Sequence, residues 1–487
     1  MTEANGPGAT WLGVVKHPST GIRIPELFLP GILAALRERN CAGTLSLSFG
    51  RETAPESVIN APPGRWEITR GHTGTSIRKY MSTGAREAER AGVTVEIEAD
   101  HLIVIGSQAA ALRRLAGDHA HSHISPEELE RSLEYYRECL DEAAAVGVMG
   151  CLTVDPSDLF WLPADRLGGE RIRGLFAERF GGEGGRRLLG RYGRRFVFPA
   201  PGAKTVQVTI TRLQAMRLAL KFADSLRVSK QLYDYARGAL GHDRFSVEIA
   251  LDETAEPTRP RDTLFWLTEA RAMGLPVHYV GPHLGFAKRV DYTGDLGLLQ
   301  RRTRQQHAIS QGVCGALLSI HSGDGSSPSS GKGRGVYEAL VAGTGGELKF
   351  KISDVYFELL MDMLAGQPAR SEGRRLFERI FDAVEGLLRG EVSSGGLLVT
   401  PLLRRQLAQQ DRAVKRDPKR RRDSRAQFFR FNQYLALNIR DERGRRYLRQ
   451  ALVEYVTRDG GLRAEFDREA KELTLRLIDG LGLADNI

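Results

Sequence analysis

Apolar and polar positions follow two rhythms along the first two thirds of the chain. Short runs with a period of two, or with continuous β-branched character, predict strands at Gly43–Phe49, Val93–Glu98, Gly150–Val154, Phe245–Leu251, Pro276–Val280 and Ala316–Ile320. Between them apolar residues recur every three to four positions. This predicts helices over Pro30–Arg39, Thr75–Ala91, Pro126–Ala145, Ala215–Ala239, Thr263–Met273 and Gly297–Gln311. Ser125-Pro126-Glu127-Glu128 carries the serine, first-turn proline and glutamate of a capped helix start. Strands and helices in alternation require parallel pairing with helical crossovers. Repeated this often, they predict an α/β fold, a TIM-like β/α barrel rather than an open doubly wound sheet. No GxGxxG follows the first strand, and Ser330-Gly331-Lys332-Gly333 lacks both the upstream glycine and the hydroxyl residue of a phosphate loop.

After Met361 the texture becomes helical throughout, over Ser371–Leu388, Leu402–Gln410, Arg425–Ile439, Arg445–Arg458 and Arg463–Leu481. The expected organisation is a catalytic barrel over 1–360 and a helical section over 361–487 that packs on it or caps it. Gly181–Gly193 and Ser322–Gly335 read as glycine- and serine-rich loops.

Composition narrows the function classes. With 487 residues, 41% hydrophobic and 27% charged, the chain can bury a core of ordinary proportions. No apolar run approaches the roughly 18 residues of a membrane span. The polar stretch Met1–Thr10 has no basic start leading into an apolar segment, so no secretory leader is expected. Four cysteines lie far apart without a CxxC, which argues against a disulfide scaffold or zinc knuckle and for the reducing cytoplasm. The net charge is +10, and Arg404–Arg425 alone contributes ten Lys/Arg against three Asp. The remainder is nearly neutral, without the basic groove interleaved with aromatics that nucleic-acid binding uses. That run is therefore expected to be solvent-exposed and dispensable for folding, with nucleic-acid binding through it a minor alternative.

In parallel β/α folds reactive side chains collect where strands end. Asp100 and His101 close one predicted strand, Asp155 another and His321 a third. In Phe245–Thr254 the period of two sets Glu248, Ala250 and Asp252 on one face. Two imidazoles and several carboxylates at strand ends suit a divalent cation with mixed N/O ligands, such as Mn, Co, Ni or Zn. Asp118-His119-Ala120-His121-Ser122-His123 is a second histidine cluster, placed before a helix start and expected to be a surface turn.

These segments resemble the tagaturonate epimerase family, metal-dependent hexuronate C4-epimerases. The resemblance rests on Ala99-Asp100-His101, Thr153-Val154-Asp155-Pro156, Glu248 through Pro260, Lys288-Arg289-Val290-Asp291-Tyr292-Thr293-Gly294-Asp295-Leu296, and Ser319-Ile320-His321-Ser322-Gly323, in family order. Three places depart from the family: an extra stretch, Ile105–His123, after His101; a lengthened loop from Asp324 to Lys332; and Lys349-Phe350-Lys351, where only Lys351 matches the family pattern. The resemblance implies a keto-sugar acid as substrate and a divalent cation held by His101, His321 and, as third ligand, Asp291. It further implies Asp100 as base and Glu248 as acid, Lys332 and Lys351 at the sugar carboxylate, and Asp155 and Asp252 as substrate contacts. Another isomerase or aldolase on the same barrel is the alternative. A cation beside Asp100 is expected to keep it ionised, while the apolar neighbours Val247, Ile249 and Leu251 are expected to raise the pKa of Glu248.

Overall fold

The computed structural model describes residues 7–104, 124–202 and 204–487; the His119–His123 cluster lies outside them. Eight parallel strands close into a ring in sequence order. They are β1 (His17–Gly21), β2 (Gly43–Ser48), β3 (Thr94–Ile103), β4 (Met149–Asp155), β5 (Ser246–Leu251), β6 (Tyr279–Pro282), β7 (Leu317–Ile320) and β8 (Leu348–Ile352). Each pairs with the next, β3 with β4 and β8 with β1 included, so the ring leaves no open edge. The outer helices are α1 (Pro25–Glu38), α2 (Ile77–Ala91), α3 (Pro126–Val146), α4 (Arg212–Leu240), α5 (Pro260–Ala272), α6 (Leu296–Cys314), α7 (Val336–Thr344) and α8 (Val355–Gly366). This is the expected TIM-like barrel; its eighth helix runs past residue 360.

Local chemistry sets the helix ends. Ser125 Oγ accepts from Glu128 N at 3.2 Å while Glu128 reaches back to Ser125 N at 2.8 Å, the predicted capping box. Thr211 and Gln214 do the same for α4, and Gly241 ends it in the left-handed conformation. The first helix starts at Pro25 rather than at Pro30. Pro30 cannot donate to Glu26 O, and Arg463 Nη1 donates to that carbonyl instead, at 3.1 Å. The expected loop at Gly181–Gly193 contains a helix, Glu183–Gly190, and an antiparallel hairpin follows, Arg194–Ala200 with Lys204–Ile210.

The C-terminal section holds α9 (Glu372–Ser394), α10 (Pro401–Arg416), α11 (Gln427–Asn432), α12 (Tyr447–Arg458) and α13 (Gly460–Leu481). The single helix expected over Arg425–Ile439 is instead α11 followed by a 3-10 turn, Gln433–Asn438. The last helix lies along α1: Phe28 and Phe466 rings are 5.8 Å apart, and a Cβ at Gly31 would sit 2.6 Å from Asp467 O, so only glycine admits this approach. Among the described residues no helix is long and apolar enough to cross a membrane.

Candidate active site

The barrel interior is built from the polar halves of its strands. On β3, Val95, Ile97 and Ala99 join the apolar core, while Glu96, Glu98 and Asp100 are buried polar groups. On β8, Leu348, Phe350 and Ile352 pack in the core and Lys349 and Lys351 point into the barrel. Lys349 Nζ lies 3.1 Å from Glu98 and 2.9 Å from Glu248. Lys351 Nζ lies 2.9 Å from Glu98, 2.7 Å from Asp100 and 2.8 Å from Glu248. Two ammoniums are thus shared by three buried carboxylates, and removing either cation would leave buried negative charge unpaired. Burial alone would raise Glu248, yet Lys349, Lys351 and His321 hold it well below the usual carboxylate range. The expected rise does not occur, because inward-facing lysines from β8, not the apolar residues beside it in sequence, surround its carboxyl. Asp100 is likewise held down against burial, by His101 and Lys351.

At the mouth of this ladder stand two histidines. β3 loses register with β4 between Ala99 and Leu102, and His101 adopts a φ of 45°. Such strain in a residue with a side chain collects at functional sites. His321 follows β7, and Ser322 after it has a φ of 57°. The two imidazole rings are 4.9 Å apart. Asp252, just beyond β5, completes a group with His101 and His321 whose donor atoms all lie within 4.8 Å of one another. His321 Nδ1 and Asp252 Oδ1 are both buried and face each other as an ion pair at 3.1 Å. The far side of each ring is braced by a carboxylate: His101 Nδ1 is 2.8 Å from Asp100, and His321 Nε2 is 2.8 Å from Glu248. Burial would lower His321, but Asp252 and Glu248 push it up to about 10, a local demand for positive charge. Gly281 on β6 makes room for the ring, since a Cβ there would come within 2.7 Å of His321 Cε1.

These groups open into a cavity of about 160 Å³. Its wall includes Arg23, Ser48, Arg51, Lys288, Arg289 and, from the C-terminal section, Phe431 and Tyr434. The Tyr434 ring lies 4.4 Å from that of His72, and Arg289 sits over Phe431 at 5.4 Å. A second chamber of about 610 Å³ adjoins it, sharing Asp252, Lys288, His321 and Phe431.

The structure brings together Asp100, His101, Glu248, Asp252, His321 and Lys351. It does not bring Asp291, Lys332 or Asp155 to them. Asp291 accepts from Ser326 N at 2.8 Å and from Ser326 Oγ, bracing the lengthened loop, and Asp252 stands where the third ligand was expected. Lys332 Nζ donates to Ala287 O at 2.6 Å and Asp324 O at 3.0 Å, so its ammonium clasps two loops; burial lowers its pKa to about 8. Asp155 accepts from Ser157 N at 3.0 Å and starts the turn after β4. Sequence reasoning missed Arg23, Arg51, Lys349, Phe431 and Tyr434. Arg23 follows β1 and Lys349 lies on β8, the two strands that show no ordinary apolar pattern; Arg51 lies in the loop after β2, and the last two sit in a section read only as a cap.

Residues 138–353 match the family model described as UxaE, tagaturonate epimerase, so the resemblance carried by the motifs is borne out. That segment carries Glu248, Asp252, His321 and Lys351. A tagaturonate/fructuronate epimerase of Thermotoga maritima is 31% identical over 107 residues, a match that spans 21% of this chain and only 20% of that protein. The native crystal structure of the fructuronate-tagaturonate epimerase from Cohnella laeviribosi superimposes with a TM-score of 0.62 at 17% identity. Its complex with one glycerol superimposes with a TM-score of 0.63 at 16% identity. Each covers 98% of this chain and 83% of the other, a likeness of fold.

Proposed function

We propose that this chain, with its match to the tagaturonate epimerase family, is an isomerase that interconverts tagaturonate and fructuronate at C4 with the help of a divalent cation. The observation that carries the reading is the convergence of His101, Asp252 and His321, each imidazole backed by a carboxylate. Ligands at about 2.1 Å from one ion must lie within about 4 Å of one another, close to the spacing of these three donors. The converging donors of His101, Asp252 and His321 suit a cation, and Asp100 and Glu248 are the outer partners that fix ligand orientation. Mixed nitrogen and oxygen donors fit Mn, Co, Ni or Zn. Bound there, such an ion would supply Lewis acidity to the C2 ketone and the C3 oxygen.

C4 is not adjacent to the ketone, so removing its hydrogen gives no stabilised carbanion. Breaking the C3–C4 bond, turning the aldehyde that forms at C4, and remaking the bond does invert that carbon. Cleavage requires that the C4 hydroxyl lose its proton and that the turned aldehyde oxygen regain one. Asp100, ionised, is the base. Glu248, ionised as well, stands on the opposite side and anchors Lys351, whose ammonium is the acid. Lys351 joins the two, at 2.7 Å from Asp100 and 2.8 Å from Glu248. As Asp100 Oδ1 takes the hydroxyl proton its hold on the ammonium weakens. Lys351, still held by Glu248, then gives a proton to the turned aldehyde oxygen. A return from Asp100 to Lys351 resets the site, and the reverse reaction runs through the same groups.

In this reading 1–360 is the catalytic unit and 361–487 closes the cavity through Phe431 and Tyr434. The partner is a small sugar acid, and the compartment is the cytoplasm. The test is metal analysis of the purified protein followed by product analysis with tagaturonate. Stoichiometric metal and fructuronate as product support the reading. An aldose product, or released three-carbon fragments, would replace it with an isomerase or an aldolase.

A further inference from the structure

A sugar acid needs a cation for its carboxylate, and the lysines implied for that role are occupied. Lys332 is tied to two carbonyls and Lys351 to three carboxylates. The other cations of the cavity wall are also paired. Arg23 lies 2.5 Å from Glu52 and pairs with Asp354, Arg289 pairs with the same Asp354, and Lys288 lies 2.7 Å from Glu253. Arg51 differs: among the described residues it forms no salt bridge, and its Nη2 donates to Ser48 Oγ at 3.0 Å. A half-buried guanidinium with unused donors at a cavity wall matches a planar carboxylate, which it can hold with two parallel hydrogen bonds.

Its position also fits the order of groups along the substrate. His101 contacts Asp100 Oδ1 at 2.8 Å, Ser48 Oγ lies 3.4 Å from Asp100 Oδ2, and Arg51 binds Ser48. The ligand histidine, the base and Arg51 therefore follow one another along the wall. In a hexuronate with its ketone at C2, the C2 and C3 oxygens, the C4 hydroxyl and the C6 carboxylate follow in the same order. We propose that Arg51 grips the C6 carboxylate and so makes the site select sugar acids over neutral sugars. This rests on the C4-epimerase reading and adds to it the residue that recognises the acid.

The test compares tagaturonate with tagatose, which has a hydroxymethyl group in place of the carboxylate. Apparent Kd at epimer equilibrium is measured by calorimetry on the metal-containing protein, with metal content and Tm recorded for each variant. Wild type is expected to prefer tagaturonate. Arg51→Gln should raise its Kd for tagaturonate about ten- to a hundredfold and shrink the preference over tagatose. Arg51→Lys keeps the charge and guards against a folding defect. Having lost the two-pronged grip, it should still bind tagaturonate about tenfold more weakly. A folded, metal-loaded Arg51 variant with wild-type Kd would overturn the proposal, as would a wild-type protein that does not discriminate the two sugars. Wild-type protein that binds tagaturonate in an Arg51-dependent way yet never epimerises it would leave the carboxylate grip standing and remove the epimerase reading.

Discussion

Gly281 governs how closely the β6 backbone approaches His321. A methyl group there would meet Cε1 at 2.7 Å and Nε2 at 2.8 Å, and the ring is fixed on its far side by Glu248. Gly281→Ala is therefore expected to tilt His321 off Asp252, costing about 1–3 kcal/mol of stability and at least about tenfold in metal affinity. Asp252→Ala should release the metal, whereas Asp291→Ala should retain it and loosen only the Ser326 loop. Metal content after dialysis, measured beside Tm, checks all three. Retention of metal by Asp252→Ala would remove that residue from the ligand set. At this scale the sequence was legible where an acid or imidazole ends an apolar strand, as with Asp100, His101, Glu248, Asp252 and His321. Asp291 sits in a family-like motif too, and Lys332 ends the loop that departs from the family. Motif identity does not say whether a side chain faces the cavity or its own loop, and the lengthened segment after His321 turned both inward on that loop.

The elements show where periodicity misleads. β8 reads Leu-Lys-Phe-Lys-Ile, an alternation that ordinarily puts lysine in water; here the apolar side faces the helices and the lysines face the barrel interior. β1, with His17, Ser19 and Thr20 buried, has no apolar face in its sequence at all. Both strands were therefore missed, although the other six and most outer helices were legible from apolar rhythm and caps. The basic run shows the reverse case. Its first half is α10, which buries Leu403, Gln406, Leu407 and Gln410, and its second half is an exposed 3-10 turn over Pro418–Arg422. Among the described residues only Arg422 of that turn pairs with acids, exposed Asp382 at 2.6 Å and half-buried Glu378 at 3.2 Å. Replacing Lys419, Arg420 and Arg421 with serine should leave Tm within a few degrees. Adding Arg422→Ser should cost at most about 1 kcal/mol, measured by thermal melting. A loss of several kcal/mol from the first three would show that the turn is structural.

For the molecule as a whole, the charged interior makes stability depend on pH. Glu96 lies below the lysine ladder, fully buried, and accepts from Leu12 N at 3.2 Å and Ser246 Oγ at 3.0 Å. Burial outweighs the help of Lys349 and of those hydrogen bonds and raises its pKa to about 8. An unfolded glutamate ionises near 4.5, so below that pH both states are protonated and Glu96 contributes no pH dependence. Between about 4.5 and 8 the unfolded chain gains a favourable charge that the folded one resists, and stability falls as pH rises. Glu96→Gln removes this loss. Its advantage over wild type in denaturant unfolding should be least near pH 5, grow toward pH 8 and then level off, reaching on the order of a few kcal/mol. A difference independent of pH would mean that Glu96 is ionised in the folded protein.

On the proposed function, the barrel inverts C4 of tagaturonate by breaking and remaking the C3–C4 bond between Asp100 and Glu248. The most direct test is proton NMR of tagaturonate incubated with the metal-loaded protein in heavy water. Fructuronate is expected to keep its original hydrogen at C4, because that C–H bond is never broken. Deuterium at C4 of the product, or no C4 epimer at all, would contradict it.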